Sequence, residues 1–254
     1  MTEVPEDHPR RQSLLTRKKI ERGVDLGITS RQGLIAQGRG EAFDYLLGER
    51  THGFAERAER AAVAHLLLAD HGVVSVNGNV AALCAREALE LAAAVDADVE
   101  ANIFHRSEDR VEAIVEHLRE SGAIELDVEV HGLEADARVP GLSSERAKVD
   151  ADGIYAADVV VVPLEDGDRC EALREMGKTE VVVDLNPMSR SARDADVPVV
   201  DNVVRAFPRM TEMAREMEDW NEPRLRDVVE GFDAQEVLAR AERAVRERAV
   251  EAGV

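Results

Sequence analysis

Hydrophobic positions change period along the chain. From Ser13 to Gly27, Leu14, Leu15, Ile20, Val24 and Leu26 recur among charges at a spacing nearer 3.6 than 2, which predicts an amphipathic helix. Thr29 or Ser30 can cap a second helix that carries Leu34 and Ile35. Phe43, Leu46 and Leu47 resume its apolar face after an interruption at Gly38-Arg39-Gly40. Phe54 to Asp70 predicts a third helix. Beyond residue 72 the pattern switches: Val73–Val76, Val99–Phe104, Val159–Val162, Glu180–Val183 and Val197–Val200 read as short strands. Several are continuous β-branched runs of the kind buried on both faces. Helices alternate with them, at about Val80 to Val95, at Glu108 to Ser121 behind a Ser107 cap, and at Arg169 to Met176. Ile124 to Val130 alternates apolar with acidic residues and predicts a strand at a sheet edge. After Asn202 the chain turns helical again, punctuated by Pro208 and Pro223, and Ala234 to Ala252 is a charged amphipathic tail.

Strands alternating with helices at this spacing imply a mostly parallel sheet joined by right-handed crossovers. The expected fold is α/β: a Rossmann-like, mostly parallel sheet flanked by helices, in a single domain over residues 1–254. Within it, 1–70 form a helical N-terminal part, 72–206 the Rossmann-like core and 207–254 a helical C-terminal part. No internal repeat or low-complexity linker interrupts it.

Composition narrows the function. Hydrophobic residues make up 44% and aromatics only 3%, so Ala, Val and Leu fill a sizeable core. Against 32 basic residues stand 52 acidic ones, a net charge of −20, which argues against nucleic-acid or anionic-membrane partners because both need a basic face. The N-terminal MTEVPEDHPRRQ has no apolar signal region, and no run approaches the roughly 18 apolar residues of a membrane span, so a cytoplasmic protein is expected. Cys84 and Cys170 form no CxxC pair and read as buried free thiols. Lysine occurs only at 18, 19, 148 and 178, so 28 of the basic residues are arginines. An acidic, lysine-poor surface over a small-residue core suits a cytoplasm at molar salt, where the screening length is about 3 Å. An acidic mesophilic protein is the alternative.

Ligands of a parallel sheet gather at the carboxyl ends of its strands. Three such ends are chemically dense. Asn77-Gly78-Asn79 opens a helix and leaves backbone N–H groups for an anion, or simply makes an ordinary turn with asparagine caps; it is neither GxGxxG nor a P-loop. Glu165-Asp166-Gly167-Asp168-Arg169 can hold Mg²⁺ or an amine, or can be an acidic helix start. Asp184-Leu185-Asn186, followed by Arg190 and Ser191, and then Asn202-Val203 offer groups for a ribose or base edge and for phosphates, which points to a nucleotide pocket. Arg39 lies between glycines that cost a helix about 1 kcal/mol each, an expense that close approach of the backbone to a partner would explain. Arg146 and Lys148 form a basic pair suited to an anion or a salt bridge, and His105 ends a strand as a capping residue or a base.

Together these segments resemble the archaeal phosphopantothenate synthetase (4-phosphopantoate–β-alanine ligase) family. The resemblance rests on SLLTRKKIERGVDLGITSRQGLIAQGRGEAFDYLLGE, VVSVNGNVAAL, PGLSSERAKVDADGIYAADVVVVPLEDGDR and TEVVVDLNPMSRSARDADVPVVDNVVRA, which reach to residue 206. It implies a homodimeric enzyme of coenzyme A biosynthesis, using ATP with Mg²⁺ to join (R)-4-phosphopantoate to β-alanine through a phosphopantoyl adenylate, with release of AMP and diphosphate. It also implies ATP contacts from Arg17, Arg39, Asp184, Leu185, Asn186, Arg190, Ser191, Asn202 and Val203. We expect Asn77, Gly78, Asn79, Arg146 and Lys148 at the substrate phosphate, and His105, Asp166 or Lys148 as candidate catalytic groups, with His105 or Asp166 taking the ammonium proton. A dehydrogenase lacks support without GxGxxG, and a non-catalytic nucleotide-binding regulator is the remaining rival. An acidic surface that binds anions must turn arginines such as Arg17, Arg39 and Arg190 inward. Its self-repulsion is unscreened at low ionic strength, so AMP-forming activity should fall as salt is diluted, as steady-state assays across a salt series would read.

Overall fold

The computed structural model describes residues 5–8, 10–164 and 167–251, apart from the side chains of 249–251. Three helices come first: α1 (Arg11–Asp25), α2 (Arg31–Leu47) and α3 (Gly53–Leu68). The Ser30 hydroxyl caps α2 by accepting the Gly33 N–H at 3.2 Å, and Gly48 ends it in the left-handed region at φ 84°. No break occurs at Gly38-Arg39-Gly40; α2 is continuous there. Neither glycine is approached closely by another part of the described protein. A Cβ on Gly38 would meet nothing within 4 Å, and one on Gly40 would make ordinary contact with Leu185 at 3.6 Å. Anchoring of the helix at both ends offsets their cost.

The α/β portion runs β1 (Gly72–Val76), α4 (Gly78–Ala94), β2 (Asp98–Ala101), α5 (Glu108–Glu120), β3 (Val130–His131), β4 (Ala137–Arg138), β5 (Lys148–Val149), β6 (Val159–Pro163), α6 (Gly167–Glu175), β7 (Thr179–Val183), α7 (Arg190–Asp194) and β8 (Val197–Val199). Helices α8 (Val203–Met217), α9 (Glu222–Glu230) and α10 (Ala234–Glu251) complete it. Six strands form one sheet in the order β3-β2-β1-β6-β7-β8, every neighbouring pair parallel. Strand order therefore runs outward in both directions from the β1–β6 junction, a topological switch point. No helix among the described residues is long and apolar enough to cross a membrane.

Three expectations need correction. Ile124–Val130 is mostly a turn, with Ile124 84% exposed and Asp127 at φ 56°, and only Val130–His131 pairs. Alternation of apolar with acidic residues also suits an exposed turn once Gly122 takes φ 115°. The edge position itself is as expected. The Val99–Phe104 strand stops at Ala101, because Ile103 and Phe104 leave the sheet for the cleft described below. Pro208 lies inside α8 without ending it, since Ala206, Phe207, Met210 and Ala214 are buried beside it and hold the helix against α3 and α4. The antiparallel β4–β5 ribbon has no counterpart in the strand pattern.

Period-two alternation splits the valines between two cores. Val74, Val76, Val161, Val181 and Val183 join the larger one, with residues of α3, α4 and α8, while Val73, Val160, Val162 and Val182 face Ile154, Cys170 and Leu173. Both cysteines are buried and free. Ser75 and Glu100, cross-strand neighbours, and Glu180, paired with Val160, are buried, as is Arg169, whose guanidinium donates to the Ser75 hydroxyl at 3.1 and 3.2 Å. Burial is the main force pushing the Glu100 carboxyl up to about 7 and the Glu180 carboxyl up to about 8, against the pull of Arg169. Because these folded-state values are raised, the stability they contribute is complete below the unfolded carboxyl range near ~4.3 and is lost as pH rises through the folded values. Glu180→Gln should therefore melt above the wild type at about pH 8 and converge with it near about pH 5, as thermal unfolding scans would show. An equal gap at both pH values would refute the assignment.

Candidate active site

A cleft of about 700 Å³ opens over the carboxyl ends of the parallel strands. Volumes of roughly 300–1,000 Å³ are usual for small-molecule and cofactor sites. Its floor follows β1 (Asn77, Gly78, Asn79), β2 (Ile103, Phe104, His105), β6 (Leu164, Gly167), β7 (Asp184, Leu185, Asn186) and β8 (Asn202, Val203), and α2 forms a wall through Gln32, Gly33, Gln37, Arg39, Gly40 and Phe43.

Asn77 closes the switch point. Its Nδ2 donates to the Pro163 and Leu164 carbonyls at 3.0 and 3.3 Å, and its Oδ1 accepts the N–H groups of Asn79 and Val80 at 3.0 and 3.1 Å. Asn79 Nδ2 donates to the Gly33 carbonyl at 2.9 Å, and Thr29 Oγ1 donates to the Gly78 carbonyl at 2.8 Å. This is the asparagine-capped turn, with both side chains engaged in holding α2 and β6 to α4. Gly78 is needed for close approach: a Cβ there would stand 2.3 Å from the Ile28 carbonyl oxygen.

The opposite end of α2 is tied by charge. Arg205 on α8 donates to Asp44 at 2.6 and 3.1 Å and to Asp201 at 2.6 and 3.0 Å, and Asn202 Nδ2 reaches Asp44 at 2.8 Å. Burial works against the Arg205 charge, but hydrogen bonds and the two carboxylates outweigh it and raise its pKa. After β7 the loop is folded by its own side chains. Asp184 accepts the Asn186 N–H at 2.9 Å and the Ser189 hydroxyl at 2.6 Å, while Ser189 caps α7 through the Ala192 N–H at 3.1 Å. Burial raises the Asp184 pKa, opposed by those two bonds and by the charge of Arg39.

Most residues singled out from the sequence line this one cleft: Arg39, Asn77, Gly78, Asn79, His105, Arg146, Asp184, Leu185, Asn186, Arg190, Ser191, Asn202 and Val203. Of the Glu165–Arg169 segment, Asp168 pairs with Arg190 and Arg169 is buried against Ser75, both outside the lining, and two further candidates stand outside it. Arg17 is paired with Glu41 at 2.9 Å on the α1 side of α2, and Lys148 is paired with Glu145 at 2.8 Å at the start of β5. Asp166, with Glu165, lies outside the described residues. Sequence reasoning missed Arg110 and Gln32. Arg110 donates to the His105 and Ile28 carbonyls at 2.7 and 3.2 Å, burial lowers its pKa, and the Gln32 amide oxygen meets His105 Nε2. The available signal was an arginine in the first turn of α5, where the helix dipole disfavours a cation. The described lining residues include Arg39, Arg110, Arg146 and Arg190 and a single carboxylate, Asp184, while Arg190 is also paired with Asp168 just outside the lining.

The arrangement can hold a multiply charged anion over the strand ends. The family model for phosphopantothenate/pantothenate synthetase matches residues 54–248. The chain is 58% identical over 233 residues to the 4-phosphopantoate–β-alanine ligase of Thermococcus onnurineus, covering 92% of this chain and 88% of that one. It is 56% identical to the enzyme of that name from Thermococcus kodakarensis, over 94% and 90% of the two chains. To the one from Methanosarcina mazei it is 52% identical, over 95% and 93%. A fold with the expected parallel sheet, an arginine-rich cleft at its switch point and these matches over nearly its whole length together place the chain in the phosphopantothenate/pantothenate synthetase family.

Proposed function

We propose that this chain is an ATP-dependent ligase that condenses (R)-4-phosphopantoate with β-alanine to 4′-phosphopantothenate, releasing AMP and diphosphate, in coenzyme A biosynthesis. The observation that carries this reading is electrostatic. In a chain of net charge −20, the described lining of the cleft gathers Arg39, Arg110, Arg146 and Arg190 with one carboxylate of its own, Asp184, and Asp168 beyond it engages Arg190 alone. Both phosphorylated substrates are anions, and bringing them together requires such cations.

In the first step a substrate carboxylate oxygen attacks the α-phosphorus of ATP, and the bond to the bridging oxygen breaks to release diphosphate. In the second the β-alanine nitrogen attacks the acyl carbon of the adenylate. AMP leaves and the nitrogen loses its proton. No enzyme nucleophile is needed, so catalysis rests on positioning and charge. ATP is assigned to the β7 and β8 ends: Asp184, Leu185, Asn186, Asn202 and Val203 for the nucleoside, Arg39, Arg190 and Ser191 for phosphates. Arg17 bears on this half indirectly, by fixing Glu41 of α2. The phosphate of 4-phosphopantoate is assigned to Arg110 and Arg146, beside the turn at Asn77, Gly78 and Asn79. His105, oriented by Gln32, is assigned as the acceptor of the ammonium proton.

Mg²⁺ fits as a companion of ATP. Asp184 is the one described lining carboxylate, and such ions are held largely by substrate phosphates. It would neutralise phosphate charge there. A cytoplasmic homodimer completes the proposal, supported by Leu34, Ile35 and Leu46, which α2 leaves exposed.

Incubation with ATP, Mg²⁺, 4-phosphopantoate and β-alanine at high salt should release AMP only when both acid and amine are present. Nucleotide binding without AMP release would favour the regulatory reading instead. In the same assay Arg110→Ala should lower kcat/KM for 4-phosphopantoate about a hundredfold. Lys148→Ala, outside the cleft, should leave that KM unchanged.

A further inference from the structure

At the opposite end of the sheet, a cluster of histidines and carboxylates plays no part in the ligase chemistry. His71 immediately precedes β1, Asp98 begins β2, Glu129 precedes β3 and His131 ends it. Three adjacent strands thus bring these side chains together at their amino-terminal side. His71 Nε2 lies 2.9 Å, and His131 Nε2 3.2 Å, from the same atom, Asp98 Oδ2. Ligand atoms of Asp98, Glu129 and His131 all fall within 4.8 Å of one another.

Asp98, Glu129 and His131 have the spacing of a coordination sphere, and His71, bonded to the same Asp98 oxygen, stands beside them as an outer-sphere partner. With metal–ligand bonds of about 2.0–2.2 Å, neighbouring ligand atoms of a tetrahedral site stand about 3.3 Å apart. The backbone that carries the ligands is already fixed. His71 N–H donates to Asp158 at 2.8 Å, Val99 N–H to the Glu129 carbonyl at 2.9 Å and Gly132 N–H to Asp150 at 2.7 Å. His131 is buried, while Asp98 and His71 are about a quarter exposed (27% and 29%), so an ion can enter from solvent. Two carboxylates with one neutral imidazole balance a divalent charge, and their mixed nitrogen and oxygen donors favour Zn²⁺ over Mg²⁺ or Ca²⁺.

We propose that Asp98, Glu129 and His131, with His71 as the outer-sphere partner of Asp98, form a binding site for a divalent transition metal of the Zn²⁺ class, which ties the two-residue edge strand β3 to β2. None of the four residues lines the cleft, and the proposal does not depend on the ligase reading.

The test uses the full chain freed of metal with EDTA and kept free of ATP. Calorimetric titration with Zn²⁺ should give one ion per chain and a raised melting temperature, and Co²⁺ should show the visible absorption of nitrogen-ligated metal. Loss of an outer-sphere partner alone costs metal sites about 10–100-fold in affinity, so Asp98→Asn and His131→Gln should each lose at least tenfold. If either fails to fold, the partly exposed His71→Gln and Glu129→Gln variants carry the comparison. Absence of saturable Zn²⁺ binding, undiminished affinity in the variants, or a Co²⁺ spectrum of oxygen ligands only would overturn the proposal and leave a plain His–Asp–His hydrogen-bonded cluster.

Discussion

Helix α2 is a wall of the cleft because it is pinned across the strand ends at both of its own ends. One pin is neutral: Asn79 and Gly78 bond the Gly33 and Thr29 region. The other is ionic: Arg205 is held between Asp44 and Asp201. A buried ion pair adds little net stability, but removing one partner costs about 3–5 kcal/mol because it strands the other charge. Two such pins make a slid or detached α2 expensive. They thereby set the distance between Arg39 on α2 and Arg190 beyond β7, which a ligand spanning both would have to match.

The same economy of charge runs through the whole molecule. The surface is acidic, yet the described lining of the cleft is cationic, so field lines from its arginines converge in a concave space. Asp44, Asp201, Asp168 and Asp184, described acid groups near the cleft, are either engaged or pushed toward neutrality. Asp44 and Asp201 are consumed by Arg205, and burial raises the pKa of Asp184. On the smaller-core face of the sheet, Glu100 and Glu180 are held near neutrality by burial around Arg169. These described carboxylates, which would otherwise repel a phosphate, are thus hidden or paired.

A parallel sheet has two chemically distinct ends. Its carboxyl end, where helix N-termini converge, holds the arginine cleft. Its amino end holds His71, Asp98, Glu129 and His131, whose donors suit a cation. The two-residue strand β3 reaches both regions: Gly132, next to His131, accepts from Arg106, which follows the cleft residue His105. Order at the edge strand is therefore coupled by covalent neighbours and one 2.7 Å bond to the segment after β2 that presents His105.

Much of this was legible in the chain itself, for local reasons. Continuous valine runs name the central strands because only a strand buried on both faces tolerates them, and Ser30 names the start of α2 because its hydroxyl caps a helix whatever surrounds it. The polar strand ends at Asn77, Asp184 and Asn202 were visible because strand propensity alone does not select them. Tertiary structure decided the rest. Gly38 and Gly40 read as a break, and the pins at Asp44 and Asn79 override them. Ile124–Val130 read as a strand, and two positive-φ residues turn it outward. Arg110 is an ordinary helical arginine until the fold carries α5 against Ile28 and His105, whereas Lys148 is a scarce lysine that the fold pairs with Glu145. Periodicity and capping act within a few residues and can be read along the chain. The destination of a long cationic side chain depends on which carboxylates and carbonyls folding brings within about 3 Å, and that is set by partners tens of residues away.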